Sequence, residues 1–203
     1  MTKISKKGQS EIKIKIKSPL ETAAQILQER GQFKHVQPMF EMVFEQLRKI
    51  VTGGAGFIGS NLVARLINAG WGVIILDDLS TGKLENINPK AKYYKVDIST
   101  MKDLTNPNRN VFRLFEGIDV VFHLAAKARV QPSIADPVSF NKVNVDGTLN
   151  ILLASHNASV QRVVYSASSS AYGNATKFPT PEEHPANPLS PYGLQKYVGE
   201  QYC

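Results

Sequence analysis

The sequence predicts an α/β fold, a doubly wound parallel sheet, preceded by a small α-rich appendage at the N-terminus. From Arg48 onward, short apolar runs typical of strands alternate with segments typical of helices. A glycine-rich turn follows the first of these runs, and polar residues follow most of the others. Alternating strand and helix units build parallel sheets, which bind ligands at the carboxyl ends of their strands.

The first strand and the turn after it carry the clearest local pattern. Ile50-Val51-Thr52 is a β-branched run suited to a buried parallel strand. Gly53, Gly56 and Gly59 follow, and they permit a tight turn, a close approach of the backbone to a pyrophosphate, and close packing of the next helix. This is the Rossmann pattern, although an ordinary glycine-rich turn is the alternative. We expect a helix over 61–70 that points its N-terminus at the phosphates, with one apolar face formed by Leu62, Val63, Leu66 and Ile67.

A second apolar strand, residues 71–76, ends at a pair of acidic residues. Asp77 lies 18 positions after Gly59, close to the spacing expected of an acid that binds the adenosine ribose. A carboxylate at this position accepts hydrogen bonds from both ribose hydroxyls and repels a 2′-phosphate. The sequence therefore favours NAD over NADP, and the alternative is that Asp77 and Asp78 only begin a turn.

The remaining segments continue the alternation. We expect strands over 92–96, 118–123 and 162–165, a helical piece near 111–116, and a helix over 140–157. Polar or small residues follow these strands, namely Asp97 and Ile98, then Leu124, Ala125 and Ala126, and then the serine-rich run 166–170. The packing candidates in the long helix are Val143, Gly147, Leu149, Ile151 and Leu152.

A proline-rich loop leads to a last helix that carries Tyr192 and Lys196. Their spacing of four residues places a phenol next to an ammonium, a combination suited to acid–base chemistry beside a dinucleotide. Considered alone, the same spacing fits ordinary packing with a solvated lysine.

Composition limits the classes of protein to consider. The chain has 203 residues, of which 42% are hydrophobic, as expected of a globular protein. Cys203 is the only cysteine, so we expect neither a disulfide framework nor a metal site. Its apolar runs are strand-sized, so we expect no membrane span, and the basic N-terminus lacks the apolar core of a signal peptide. A cytoplasmic enzyme is the default expectation.

The positive charge is unevenly distributed. Residues 1–49 hold ten Lys and Arg against five Glu, a balance of +5, and the other 154 residues hold fourteen basic against twelve acidic residues, a balance of +2. The excess charge belongs to the appendage, so we expect no nucleic-acid partner. A lysine-rich anchor within residues 1–49 is the alternative.

Seven ordered segments of residues 48–203 resemble the N-terminal part of the extended short-chain dehydrogenase/reductase family. Within that family the resemblance is to NAD-dependent nucleotide-sugar epimerases of the UDP-glucose 4-epimerase type. The segments are Thr52–Ser60, Leu76–Asp78, Asp97–Ile98, His123–Ala126, Asn144–Thr148, Ser166–Gly173 and Ser190–Lys196.

The resemblance implies a reaction and a set of site residues. A tightly bound NAD would take a hydride from a UDP-sugar and return it to the other face, in a homodimer by analogy with the family. Tyr192 would be the general base and acid, Lys196 would bind the nicotinamide ribose and favour the phenolate, and Ser168 would stabilise the sugar oxygen. The implied cofactor residues are Gly53, Gly56, Phe57, Ile58, Gly59, Asp77, Asp97, Ile98, Leu124, Ala125, Ala126, Asn144, Tyr192 and Lys196. The implied substrate residues are Arg129, Ser133, Ser168 and Ser169.

Several alternatives stay open at this point. The serine run permits a shift of one residue between Ser168 and Ser169, His123 can simply end a core strand, and Asn144 can anchor a local hydrogen-bond network. Related dehydratases place an acid after the fifth strand, where residues 168–171 have none, so an epimerase is favoured. A non-catalytic NAD-binding fragment and a related sugar-nucleotide reductase or dehydratase are the other candidate functions.

Two regions depart from the family. Residues 1–47 have no counterpart there, and their pattern predicts an appendage of unknown role with one strand and two helices. The family also continues beyond the position of Cys203 with a small substrate-binding lobe. We therefore expect 48–203 to be an NAD-binding domain without that lobe.

Overall fold

The computed structural model describes residues 48–106 and 108–203. The strand and two helices predicted within 1–47 lie outside these residues. Among the described residues, no helix combines the length and the apolar character that crossing a bilayer would require.

A sheet of six strands forms the centre of the described region. The strands are β1 (Arg48–Thr52), β2 (Gly72–Asp77), β3 (Lys92–Asp97), β4 (Lys102–Asp103), β5 (Ile118–His123) and β6 (Arg162–Tyr165). Their spatial order is β4-β3-β2-β1-β5-β6, with all pairs parallel except the antiparallel pair of β3 and β4. The chain starts at β1, moves outward to β4, and then returns to β5 on the other side of β1. The strand order therefore reverses between β1 and β5, which is where such sheets bind ligands.

Helices cover both faces of this sheet. They are α1 (Phe57–Asn68), α2 (Val130–Ala135), α3 (Pro137–Asn141), α4 (Gly147–Asn157) and α5 (Pro191–Tyr202), with short 3-10 turns at Leu84–Asn86, Val111–Phe115 and Ser169–Ala171. Because side chains alternate along a strand, β1 and β2 supply residues to two separate cores. One core joins Ile50, Ile74, Leu76 and Val121 to Ile151 of α4, and the other joins Val51, Val73 and Ile75 to Val63 of α1. The predicted doubly wound parallel sheet is thereby confirmed.

The structure differs from the sequence prediction mainly in the segment 140–157. The predicted continuous helix is divided into the end of α3, a π-helical turn over Lys142–Asp146, and α4. The side-chain amide of Asn144, at the centre of that turn, bonds to Lys127 and to Gln195. These long-range bonds accompany the break, and hydrophobic periodicity does not encode them. Among the predicted packing residues, Gly147 and Ile151 are buried, whereas Val143, Leu149 and Leu152 are half-buried.

Smaller differences concern element ends. Helix α1 begins at Phe57, four residues before the predicted start, because Gly56 in an extended conformation serves as its N-cap. The two-residue strand β4 and the short helix α2 were not predicted.

Candidate cofactor cleft and active site

The glycine turn after β1 leaves no room for side chains at two of its three glycines. Gly53 has a positive φ of 70°, and a Cβ atom added there would lie 2.8 Å from the backbone nitrogen of Ala125. A Cβ atom at Gly59 would collide with the carbonyl oxygen of Gly53. At Gly56 the corresponding contact is milder, at 3.3 Å from the same oxygen. The turn thus holds β1, β5 and α1 in backbone contact.

The N-terminus of α1 opens into the cleft that this turn forms. Its N-cap is Gly56, which has no side chain to bond the first N–H groups, and its first turn contains no acidic residue. The first N–H groups of a helix have no partner within the helix, and they carry the positive end of the helix dipole. This end of α1 therefore suits a phosphate group.

Asp77 closes the cleft at the end of β2. It is only 7% exposed, and its two carboxylate oxygens accept hydrogen bonds from the backbone N–H groups of Ala55 (3.0 Å) and Leu79 (2.8 Å). Burial raises the pKa of Asp77 above its ordinary value, although both N–H donors act in the opposite direction. Each carboxylate oxygen can accept a second hydrogen bond, so the group retains acceptors for a ribose hydroxyl.

Most of the predicted cofactor residues line this cleft, which we call the cofactor cleft. They are Gly53, Gly56, Phe57, Ile58, Gly59, Asp77, Asp97, Ile98, Leu124, Ala125 and Ala126. The structure adds lining residues that the sequence analysis did not assign to the cofactor, among them Asp78, Ser80, Thr81, Lys127, Val143 and Ser166. Asp78 and Ser166 directly follow β2 and β6, and the sequence analysis noted both positions after strands without giving them a role.

His123, at the end of β5, belongs to a buried hydrogen-bond network below this cleft. It is 1% exposed, with its Nδ1 atom 2.7 Å from Thr52 Oγ1 and its Nε2 atom 3.0 Å from Thr148 Oγ1. The Thr148 hydroxyl donates to the carbonyl of Asn144, so it accepts from Nε2–H, and Nδ1 accepts from the Thr52 hydroxyl. Thr52 Oγ1 in turn accepts from the N–H of Ala125, in the cofactor cleft. Burial lowers the pKa of His123 to about 3, so the ring is neutral. His123 therefore has the environment of a residue that ends a core strand, which is the alternative given above.

Asn144 does not lie in the cofactor cleft. It is 1% exposed; its side-chain oxygen accepts from the Lys127 N–H (2.9 Å), and its NH₂ group donates to the Lys127 carbonyl (3.0 Å) and to Gln195 (3.1 Å). Both amide hydrogens have protein partners, so in this structure Asn144 connects the loop after β5 to α5, which is the local network given above as the alternative. Direct contact of Asn144 with the cofactor stays a prediction.

Helix α5 carries Tyr192 and Lys196. It starts after Ser190, whose hydroxyl accepts from the N–H of Gly193 (3.0 Å). Tyr192 is half-buried, whereas Lys196 is only 4% exposed and its Nζ atom lies 4.1 Å from the ring centroid of Tyr165. Burial lowers the pKa of Lys196 to about 8. The pKa of the ammonium therefore lies close to neutral pH, because the group is shielded from water.

The four predicted substrate residues occupy different environments. Ser168 is half-buried and caps the short turn after β6 by accepting from the Ser170 N–H, and Ser169 is exposed. Arg129 is exposed and precedes α2 with a positive φ of 84°. Ser133 is fully buried; its hydroxyl donates to a carbonyl of α2 and accepts from the backbone N–H of Tyr192 (3.1 Å). The hydroxyl of Ser133 thus joins α2 to α5, and contact of Ser133 with the substrate stays a prediction.

The sheet order and the glycine turn define a Rossmann-type dinucleotide-binding domain, whose helix α5 carries a half-buried tyrosine and a buried lysine. The sequence family described as "NAD dependent epimerase/dehydratase family" matches residues 49–203. The chain belongs to this family. The predicted family is confirmed, and NAD is confirmed as its cofactor at the level of the family.

Individual relatives are similar over the same residues. A putative UDP-glucose 4-epimerase of Methanocaldococcus jannaschii is 47% identical over 154 residues, which cover 75% of this chain and 48% of the relative. The UDP-glucose 4-epimerase of Thermotoga maritima, solved with UDP-glucose, superimposes with a TM-score of 0.70 at 41% identity, covering 77% of this chain and 50% of that one. That of Thermus thermophilus, solved in complex with NAD, gives 0.67 at 38% identity, with 77% and 49% covered. The chain therefore spans about half the length of these relatives.

Proposed function

We propose that residues 48–203 form the NAD-binding and acid–base domain of an NAD-dependent nucleotide-sugar epimerase that acts at C4 of a UDP-sugar. One observation carries the proposal: Lys196, four residues after Tyr192, is buried over Tyr165, which directly precedes the cleft residue Ser166. This arrangement brings α5 to the same edge of the sheet as the cofactor cleft. The relatives named above are UDP-glucose 4-epimerases, which supports the substrate class.

The residues of the cofactor cleft fit NAD. The glycine turn allows a pyrophosphate to approach the backbone, α1 presents uncapped N–H groups, and Asp77 presents acceptors for a ribose. Asp77 and Asp78 together would repel a 2′-phosphate, which favours NAD over NADP. When bound, NAD supplies the acceptor and donor for a hydride.

Tyr192 is the residue that we assign as general base and acid. It would remove the proton of the sugar C4 hydroxyl and return it after the sugar has presented its other face. Lys196 has a pKa of about 8 and is largely protonated at neutral pH, so a positive charge stands one helical turn from the phenol. We assign Ser168 to the sugar oxygen, and Arg129 and Ser169 to the substrate.

The family also contains dehydratases, and one feature favours an epimerase. Elimination of water needs a general acid next to the leaving hydroxyl. The segment after β6, residues 168–171, offers three serines and an alanine. Epimerisation requires only one acid–base group, which Tyr192 supplies. A related dehydratase or reductase is the second candidate, because its fold and cofactor cleft would be the same.

A homodimer is part of the proposal. Four apolar side chains on or next to α2, α3 and α5 are more than half exposed, namely Ile134 (54%), Val138 (66%), Leu189 (61%) and Leu194 (52%). By resemblance, the helices that pair protomers in the family correspond to those around 140–157 and 190–203, which include α5. We also propose the cytoplasm as the compartment, and we leave the role of residues 1–47 unassigned.

Two measurements test this function. Calorimetry on the purified chain should show saturable binding of NAD, and an assay with UDP-glucose, on a form that carries the family's substrate-binding lobe, should show formation of UDP-galactose without net NADH. In that form we expect Tyr192→Phe to abolish turnover and to leave NAD affinity nearly intact. The matched control is Tyr202→Phe, which removes the hydroxyl of a half-exposed tyrosine on the same helix.

The possible failures separate the candidate functions. A chain that does not bind NAD contradicts the cofactor assignment. NAD binding without turnover favours a non-catalytic NAD-binding protein, and a net change in NADH favours the reductase or dehydratase. Unchanged turnover in Tyr192→Phe removes Tyr192 from the reaction.

A further inference from the structure

Tyr165, the last residue of β6, contacts Lys196 in two ways. Its ring lies beneath the ammonium, with Nζ 4.1 Å from the ring centroid, within the range of a cation–π interaction. Its hydroxyl donates a hydrogen bond of 3.2 Å to the backbone carbonyl of the same lysine. One side chain thus holds both the charged end and the backbone of Lys196.

Two glycines of α5 make this contact possible. Gly193 and Gly199 stand three residues before and three residues after Lys196. A Cβ atom at Gly193 would lie 2.6 Å from the carbonyl oxygen of Ser170, in the turn after β6. A Cβ atom at Gly199 would collide with the Tyr165 hydroxyl and lie 2.7 Å from the ring carbon that bears it. A larger residue at either position would force α5 or the atoms that it meets to shift, and would so disturb the contact between Tyr165 and Lys196.

The surroundings of Tyr165 hold its ring as a neutral, fixed support. His123 packs against it, with ring centroids 5.7 Å apart, and burial lowers the pKa of His123, which keeps its ring neutral. Burial raises the pKa of Tyr165 well above its usual range, so the hydroxyl keeps its proton and remains a donor. The interaction with Lys196 is therefore that of a cation with a neutral aromatic ring.

We propose that Tyr165 is a positioning residue for Lys196: its ring supports the ammonium while its hydroxyl fixes the lysine backbone, so that the ammonium points at the cofactor. This inference rests on the proposed function only for the role of Lys196 toward NAD. The contact between the two side chains stands independently of that role. Tyr165 itself touches neither cofactor nor substrate in this assignment.

A spectroscopic measurement tests the contact itself. In protein labelled with ¹³Cε-lysine, the Lys196 methylene protons should show an upfield ring-current shift, and Lys196→Arg identifies their signal. Tyr165→Phe, which keeps the ring, should retain the shift, and Tyr165→Leu should remove it. Tyr94→Leu is the matched control, because it removes a half-buried ring that lies 4.7 Å from the Arg109 guanidinium, at the other end of the sheet. It should leave the Lys196 signal in place.

NAD binding tests the positioning role. Loss of a shielded cation–π contact should weaken NAD binding by Tyr165→Leu about tenfold. Tyr165→Phe should weaken it by no more than about threefold, the size of one modest hydrogen bond, and Tyr94→Leu should leave it unchanged. Equal weakening by Tyr165→Leu and Tyr94→Leu would overturn the proposal, since both would then act through stability alone. An unshifted Lys196 signal in the native protein would overturn it as well.

A second variant covers the case in which Tyr165→Leu does not fold. Gly199→Ala keeps every functional side chain but collides with Tyr165, so it should lose the ring-current shift and weaken NAD binding. The double variant Gly199→Ala, Tyr165→Phe lacks the colliding oxygen and should recover part of the ring-current shift and part of the NAD affinity. Recovery of neither would contradict the proposal. If the native chain binds no NAD, the proposed function fails, and the ring-current comparison still decides whether Tyr165 holds Lys196.

Discussion

The two halves of the carboxyl edge of the sheet are built in different ways. In the half formed by β1, β2 and α1, the cleft is shaped by backbone and by glycines that have no room for a side chain, such as Gly53 and Gly59. In the half formed by β5, β6 and α5, the site depends on long polar side chains that other side chains hold, as Tyr165 holds Lys196. Substitutions of the glycines in the first half should therefore act through steric collision, and substitutions of the polar side chains in the second half through loss of hydrogen bonding and charge.

The largest effect should follow from Gly59→Ala. Its Cβ atom would collide with the Gly53 carbonyl oxygen and lie 2.8 Å from Gly54 Cα, and backbone atoms cannot rotate away as side chains do. We expect a loss of about 3 kcal/mol or more in the free energy of unfolding, and no measurable NAD binding. Urea denaturation and calorimetry measure these two quantities.

Gly56→Ala is the matched control within the same turn. Its Cβ atom would lie 3.3 Å from the same carbonyl oxygen, a contact that a shift of a few tenths of an ångström relieves. If Gly59→Ala reduced the free energy of unfolding and NAD binding no more than Gly56→Ala, steric exclusion of side chains would not be the reason for glycine in this half of the site.

Where the two halves meet, Thr52→Val in β1 should break the buried network around His123 of β5. Valine has the shape of threonine without the hydroxyl, so the N–H of Ala125 loses an acceptor and Nδ1 of His123 loses its donor. We expect a loss of about 2 kcal/mol in the free energy of unfolding, measured by urea denaturation. Thr100→Val, which removes a hydroxyl bonded to Asp97 at the exposed end of β3, should cost less than about 0.5 kcal/mol.

The pH dependence of stability should report the same network. The pKa of His123 is about 3 in the folded chain, against an ordinary value of 6.5 when unfolded. Below pH 6.5, His123 binds a proton in the unfolded chain but not in the folded chain. The free energy of unfolding therefore does not depend on the protonation of His123 above this pH, and it falls as the pH drops from 6.5 toward 3. One such proton gives a slope of about 1.4 kcal/mol per pH unit. The free energy of unfolding from urea denaturation, measured between pH 7.5 and 4.5, should show this slope, and His123→Gln should reduce the slope.

The same division explains how much could be predicted from the sequence. The glycine turn and Asp77 lie within 25 consecutive residues, so their spacing alone placed them in one cleft. The strands with strong apolar runs, such as β2 and β5, were also predicted with accurate bounds. By contrast, β4 has only two residues and is defined by its pairing with β3. No local sequence pattern predicts this pairing.

The hydrogen bonds that residues make to distant partners were the feature that the sequence did not predict. Ser133 meets the Tyr192 backbone across 59 positions, and Asn144 meets Gln195 across 51. Both were predicted site residues from the family motif alone. In the structure, Ser133 joins α2 to α5, and Asn144 joins the loop after β5 to α5. The Tyr165–Lys196 contact, across 31 positions, was missed for the same reason. A motif identifies which residues are present, whereas only the fold shows which of them still have a free hydrogen-bonding group.

The smallest effect should come from Lys196→Met in the second half. Unlike the substitutions above, it should raise the free energy of unfolding. Burial lowers the pKa of Lys196 to about 8, which means that at pH 7 the folded chain holds a charge in a site that disfavours it. Methionine fills a similar volume without charge, although the cation–π contact with Tyr165 is lost. We expect the free energy of unfolding to rise by about 1 kcal/mol at pH 7, and NAD binding to weaken. Above pH 8 the advantage should shrink, because the native lysine then loses its proton. A loss of stability in Lys196→Met would instead show that Tyr165 and its surroundings fully offset the cost of burying the ammonium.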